Sequence, residues 1–131
     1  MLGYAHAALG FSLSVFLLGP SPSVTLTSVI YSKLPDFDLK LRHRKSLHNV
    51  FAMLILTSVA FLMGPDAGLS ALVAYSSHLL GDSLTVYGIY PFYPFSNKRF
   101  RLAKFKSSSP ILNLGAVALS AALLFAKFKG L

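Results

Sequence analysis

Histidine and aspartate side chains occur along this chain in short groups whose spacing suits metal binding. Imidazole nitrogen and carboxylate oxygen are the usual ligands of zinc and related divalent ions. The sequence has no cysteine, so a thiolate site is excluded and these two side-chain types remain as candidates. The candidate metal ligands are His6, Asp36, Asp38, His43, His48, His78 and Asp82.

The densest of these groups lies in LPDFDLKLRHRKSLHN, residues 34–49. Its polarity contrasts with the rest of the chain, which is 54% hydrophobic and only 12% charged overall. The whole chain has only 4 acidic residues, so it does not use them to make a hydrophilic surface. Ionisable groups in so apolar a chain are costly to bury, which favours a functional role for them.

Five apolar segments make up most of the chain and indicate a single membrane-embedded domain, residues 1–131. They lack the period-two alternation of half-buried strands, so we predict an all-α bundle of about four to five helices. Several are shorter than the roughly 20 residues of a perpendicular span, and some of these are expected to span only partly, to tilt or to be buried in the bundle. Ser46 is the predicted N-cap of the third segment. The segments are residues 2–18, 24–34, 48–63, 67–86 and 111–126.

The basic residues indicate how the bundle sits in a membrane. The net charge is +8, and most of the cationic residues fall in two runs, 33–45 and 98–106. Basic loops beside apolar segments are typical of the cytoplasmic side of an inner membrane protein and of contact with anionic lipid headgroups. No nucleic-acid-binding module accompanies the charge, so a nucleic-acid partner is not expected.

Two helical hairpins are expected to bring the candidate ligands to one end of the bundle. The first hairpin turns at residues 19–23, and His6 and Asp36 are equally distant in sequence from that turn. The second turns at GPDAG, and His48 and Asp82 are equally distant from it. Because each helical residue rises about 1.5 Å, the members of each pair should lie at the same height.

His78 precedes Asp82 by four residues, so both side chains share one face of a helix. If the two basic runs lie on one side of the membrane, every histidine and aspartate except Asp66 gathers at the same end. Taken singly, each residue has a simpler interpretation: a hydrogen-bonded His6, a His78–Asp82 hydrogen bond, or an N-capping aspartate in PDFD. Their convergence favours a metal site.

Four motifs in this order, LPDFD, HRKSLH, SHLLGDSLT and YPFYPF, resemble the YdjM-like, LexA-regulated membrane-bound metal-dependent hydrolases. The resemblance covers about residues 3–96. The residues that match the family pattern are His6, Asp36 and Asp38, then His43, Arg44 and His48, then His78 and Asp82, and finally Pro94 and Phe95.

That family is in turn similar to zinc-dependent phospholipase C and to single-strand zinc nucleases, which are all-helical phosphodiesterases with clustered metals. The resemblance implies that Asp82 could bridge two metals and that His6 ligates one of them. The additional His–Glu ligand pair of a three-metal cluster is not visible here. One or two divalent ions are therefore expected, with zinc as the first candidate.

The leading interpretation is an integral membrane, metal-dependent hydrolase whose substrate is a small-molecule or lipid phosphoester. Asp36 or Asp38 would accept a proton from the attacking water. Arg44 would stabilise charge on the phosphoryl oxygens, although it could equally be a positive-inside residue without a catalytic role. No residue is assigned to an organic cofactor.

Two other classes of function fit the same residues. The first is a membrane protein that binds or transports a divalent metal without hydrolysing anything. The second is a structural or partner-binding membrane protein that keeps a metal for stability. The sequence indicates neither the oligomeric state nor the identity of the substrate.

Overall fold

The computed structural model describes residues 1–40 and 45–131, without the side chains of residues 39 and 40. Within these residues no β-strand forms, and the predicted all-α bundle is confirmed. Five helices are longer than two turns, and α3 is a single turn. The helices are α1 (Gly3–Leu18), α2 (Pro22–Lys33), α3 (Phe37–Lys40), α4 (Val50–Ala60), α5 (Pro65–Ser83) and α6 (Pro110–Lys129), with 3-10 turns at Leu34–Asp36 and Phe61–Met63.

Helix α5 lies at the centre of the bundle, because it packs against α1, α2 and α4. Small residues such as Ala67, Ala71 and Ala74 are buried along it and allow close approach of the neighbouring backbones. Helix α6 packs mainly against α1. The two run in the same direction, since Leu2 N donates to Asn113 Oδ1 (2.9 Å) and Lys127 Nζ donates to Phe16 O (2.9 Å).

The helix starts depend on capping side chains that differ in part from the predicted ones. The prediction of Ser46 as the N-cap before α4 is wrong, because α4 begins at Val50 and Asn49 is its N-cap. Asn49 Oδ1 accepts from Ala52 N (2.8 Å), while its amide nitrogen donates to the carbonyl oxygens of Lys45 and Ser46. The Asn49 amide thus accepts one hydrogen bond and donates two, whereas a serine hydroxyl has only one hydrogen to donate.

The chain stays helical past Pro35, where the sequence predicted only a loop. Helix α2 ends at Lys33, and a 3-10 turn continues over Pro35 and Asp36 into α3. Proline fits the first turn of such a helix because its missing N–H would have no partner there. This compact path determines how Asp36 and Asp38 are placed relative to α5.

The segment between α5 and α6 folds back on the end of α5. Ile89 and Phe100 exchange backbone hydrogen bonds of 2.9 and 2.8 Å, and Val86 N donates to Phe105 O at 2.9 Å. Gly88 turns the chain between these pairs with φ of +63°, a conformation that favours glycine. The basic run 98–106 is thereby held beside the end of α5.

Among the described residues, α6 is the one helix that is long and apolar enough to cross a membrane. Only 17% of its apolar window is buried inside the protein. Helix α1 and the stretch Val50–Met63 are apolar but shorter. Full spanning by the whole bundle would therefore require local thinning of the bilayer.

Gly10 marks the closest approach of α1, α2 and α5. A Cβ at this position would lie 2.7 Å from Ser32 Cβ and 3.2 Å from Ala74 Cβ. At Gly115 on α6, a Cβ would have no heavy atom within 4 Å. The two glycines therefore provide matched tests of the packing.

We expect Gly10→Ala to lower the free energy of unfolding by about 1–3 kcal/mol, the usual cost of overpacking a filled interior. Gly115→Ala should raise it by roughly 0.5–1 kcal/mol, because alanine is the better helix former and meets no neighbour. Reversible denaturation in detergent micelles measures both. Equal effects of the two substitutions would show that the three helices are not in close contact at Gly10.

Candidate metal centre

The described candidate ligands all lie at the end of the bundle where α2 and α5 finish and where α1 and α4 begin. Asp66 lies in the first turn of α5, at the opposite end. His43 and Arg44 are outside the described residues. The buried members of the group are His6, Asp38, His48, His78 and Asp82, and Asp36 is partly exposed.

Four of these side chains converge on a common point. Asp36, His48, His78 and Asp82 each offer one ligand atom, and these atoms lie within 4.8 Å of one another. Asp82 Oδ2 lies 3.2 Å from His48 Nε2 and 3.6 Å from His78 Nε2. The two imidazole Nε2 atoms are 3.4 Å apart, and Asp36 Oδ1 lies 3.6 Å from His78 Nε2. Two carboxylates and two imidazoles thus face each other at close range.

The backbone of α2 determines which nitrogen of His78 is available. His78 Nδ1 lies 2.6 Å from the carbonyl oxygen of Ser32. A carbonyl oxygen can only accept, so Nδ1 carries the proton and Nε2 keeps its lone pair. Metal-binding histidines are commonly oriented by such a bond to the second ring nitrogen.

Asp38 lies behind His48 instead of joining the four converging groups. Its Oδ2 accepts a hydrogen bond from Leu47 N (2.7 Å) and lies 3.7 Å from His48 Nδ1. Asp38 Oδ1 and His48 Nδ1 are both buried without a hydrogen-bond partner. A small shift of the ring would create a carboxylate–imidazole pair that orients Nε2 toward the centre.

His6 approaches the same centre from α1 and contacts the second oxygen of Asp82. Its Nε2 lies 3.0 Å from Asp82 Oδ1, and its ring stacks on that of His78 at a centroid distance of 3.7 Å. The Met1 amino nitrogen lies 2.7 Å from the same Oδ1. Asp82 therefore faces His48 and His78 with one oxygen and α1 with the other.

Gly81 and the backbone carbonyl of Ser32 also help to build the centre, although neither was among the predicted site residues. A Cβ at Gly81 would lie 3.1 Å from His6 Cε1, so a larger residue would push α1 away from α5. The glycine of HLLGD was a visible signal for this, since glycine inside a helix usually has a packing reason. The carbonyl of Ser32 had no signal in the sequence.

Asp36 connects the centre to the surface. It lines an open cleft of about 270 Å³ together with Gly3, Lys33 and Phe37. Asp36 Oδ1 faces His78, whereas a Cβ built on Gly3 would lie 3.8 Å from Asp36 Oδ2. The carboxylate therefore has one oxygen toward the converging groups and the other toward the cleft.

The donor set suits a divalent cation. Two carboxylates supply the negative charge that compensates a dication, and two neutral imidazoles supply nitrogen ligands. Buried polar atoms without partners are rare in folded proteins and call for a physical explanation. The unpartnered atoms here include His6 Nδ1, Asp38 Oδ1 and His48 Nδ1, all beside the converging groups. These residues can hold a metal ion, and their chemistry fits one.

Fold and site together define a small, apolar helical bundle with a buried His/Asp centre that could hold a metal ion. The chain belongs to the YdjM inner membrane protein family, whose sequence model matches residues 1–130. The resemblance drawn from the four motifs is thus confirmed. No curated protein matches the chain, and no solved structure matches it.

Proposed function

We propose that this protein is an integral membrane hydrolase that cleaves phosphoesters with a divalent ion, with zinc as the first candidate. The observation that carries the proposal is the convergence of Asp36, His48, His78 and Asp82, together with an open cleft that Asp36 lines. A purely structural metal site is normally closed, whereas a catalytic site keeps access for water and substrate. The partly exposed Asp36 provides that access here.

A divalent ion bound there would supply Lewis-acid chemistry, polarising a phosphoryl oxygen and activating a water molecule. His78 would bind the ion through Nε2, because its Nδ1 is hydrogen-bonded to Ser32 O. Asp82 would bind it through Oδ2, because its Oδ1 is in contact with His6. One ion is the simplest occupancy. A second ion would need His6 as a ligand, either through its unpartnered Nδ1 or through Nε2 in place of the contact with Asp82.

Asp36 is the residue we assign to proton transfer. Asp38 is fully buried and bound to Leu47 N, so a substrate in the cleft cannot reach it. Asp36 Oδ2 faces the cleft and can accept a proton from the attacking water. The proposal thus favours Asp36 over Asp38, which the sequence left as alternatives.

The substrate we propose is an anionic phosphoester at the membrane surface. Lys33 lines the cleft beside Asp36, and its ammonium group suits a phosphate oxygen. Arg44, which lies outside the described residues, keeps its proposed role in stabilising charge on the phosphoryl group. The basic runs at this end of the bundle support a cytoplasmic orientation of the cleft.

Purified protein tests this proposal directly. In detergent and with zinc, we expect hydrolysis of at least one member of a phosphoester panel that includes phospholipid headgroups, with loss on chelation and recovery on metal return. Stoichiometric metal without any turnover would refute the hydrolase and favour a structural role. Ion flux in liposomes without hydrolysis would refute it in favour of transport.

Asp38→Asn tests the support of His48. The amide oxygen can still accept from Leu47 N, so the fold should be kept, but the charge that orients the ring is lost. We expect about a 10–100-fold weaker metal affinity, the usual effect of residues behind the ligands. Competition with a chromogenic chelator measures it, and an unchanged affinity would remove Asp38 from the centre.

A further inference from the structure

A second set of cavities lies on the other side of α1 from the Asp36 cleft. An open groove of about 390 Å³ runs between α1, α5 and α6, within the roughly 300–1,000 Å³ typical of small-ligand sites. Its walls are almost entirely apolar and include Leu9, Leu13, Leu80, Leu84 and Ile111. Along α6 it extends from Ile111 to Leu119, about 12 Å at the helical rise of 1.5 Å per residue.

A second pocket, with one polar side, lies beside one end of this groove. It has a volume of about 400 Å³, and Lys106, Ser107 and Ser108 form its polar side. The two cavities are neighbours, because at two places in the chain one residue lines the groove and the next residue lines the pocket. Met1 and Phe105 line the groove, and the residues that follow them, Leu2 and Lys106, line the pocket.

The pocket is built for an anion. Lys106 is exposed, and every aspartate of the chain lies elsewhere, three at the metal centre and Asp66 at the far end. The hydroxyl oxygen of Ser107 is buried without a hydrogen-bond partner. A buried polar atom without a partner is costly, and an anionic oxygen in the pocket would satisfy it.

We propose that the groove and the pocket together bind one anionic phospholipid. An acyl chain lies along α6 in the groove, and the phosphate lies in the pocket against Lys106 and the Ser107 hydroxyl. An apolar groove beside a pocket that carries a lysine and two serines matches a lipid, which has an apolar and an anionic part in one molecule. None of the residues that line the groove or the pocket lines the Asp36 cleft, so the lipid site is distinct from that cleft.

Lipid titration by native mass spectrometry in detergent tests the site, with phosphatidylglycerol and phosphatidylcholine as probes. We expect phosphatidylglycerol to bind at least tenfold more tightly. Lys106→Glu should weaken its binding about tenfold by removing the phosphate partner. Gly115→Leu should do the same by filling the groove, because a side chain at Gly115 enters open space and displaces no protein atom.

Two matched controls change charge and bulk outside the site. Lys98→Glu makes the same charge change in the same basic run, and Ala118→Leu adds the same bulk to an exposed position of α6. Both should leave lipid affinity within twofold of the unmodified protein. Equal affinity in all four variants, equal binding of phosphatidylcholine, or full competition by inorganic phosphate would overturn the proposal. Metal content should stay unchanged throughout, which separates this result from any failure of the proposed hydrolase.

Discussion

Asp82→Asn is expected to abolish stoichiometric metal binding, with an affinity more than about 100-fold below that of the unmodified protein. That loss exceeds the 10–100-fold typical of residues behind the ligands, because Asp82 faces the centre directly. Its Oδ2 lies 3.2 Å from His48 Nε2 and 3.6 Å from His78 Nε2. The amide has one oxygen where the carboxylate has two, and it lacks the negative charge that compensates a dication.

The same substitution should keep the fold at a lower stability, because the buried Met1 ammonium loses its counter-charge. The amide nitrogen would take the position of Asp82 Oδ2 and could donate to His78 Nε2. The amide oxygen would keep the position of Oδ1 beside His6, so both histidines retain a hydrogen-bond partner in the absence of metal. Elemental analysis of the purified protein measures occupancy, and thermal unfolding in detergent provides the independent check on folding. Loss of metal with a retained unfolding transition is the expected combination.

Asp66→Asn is the matched control for that experiment. It makes the identical chemical change on the same helix, in the first turn of α5 and away from the converging groups. It should bind metal as the unmodified protein does. Full metal occupancy in Asp82→Asn would contradict the metal centre, and equal losses in both variants would indicate a general effect on α5.

Asp36→Asn should separate turnover from metal binding. Its Oδ1 faces His78 (3.6 Å) while its Oδ2 faces the cleft. The amide can still offer one oxygen to a metal, but it cannot accept a proton. With metal at saturation, we expect the turnover number on a phosphoester to fall by about 10²–10⁴-fold, the usual contribution of a positioned general base.

Metal affinity in Asp36→Asn should fall less than in Asp82→Asn, because Asp36 is at the edge of the group and Asp82 is at its centre. Asp38→Asn provides the comparison, since its turnover should recover when metal is raised to saturation. Unchanged turnover in Asp36→Asn at saturating metal would exclude the proton-accepting role. It would leave the metal centre itself untested by that experiment.

The gathering of His6, Asp36, His48, His78 and Asp82 at one end of the bundle could be predicted from the sequence. The prediction needed only the positions of two turns and the constant rise of a helix. Both turns contain a glycine with positive φ, +88° at Gly19 and +126° at Gly64. Turn residues and apolar periodicity are local signals, so they can be read without knowing what packs against what.

The different positions of the two aspartates of PDFD could not be predicted. Asp36 and Asp38 are two residues apart, and the expected loop gave no reason to distinguish them. The 3-10 turn over Pro35 directs Asp36 toward the cleft and places Asp38 behind His48. The choice of Asn49 rather than Ser46 as the N-cap of α4 is a local matter, because Asn49 accepts from Ala52 N and donates to the carbonyl oxygens of Lys45 and Ser46.

The sequence alone thus determined the helical class, the family and the end of the bundle where the polar residues meet, since all three depend on patterns along the chain. Only the tertiary structure decided which atom faces which. Ser32 O orients His78 from another helix, and Gly10 and Gly81 allow α1 to approach α5 closely enough for His6 to reach Asp82. Such contacts join residues far apart in sequence, and their geometry follows from the packing of whole helices.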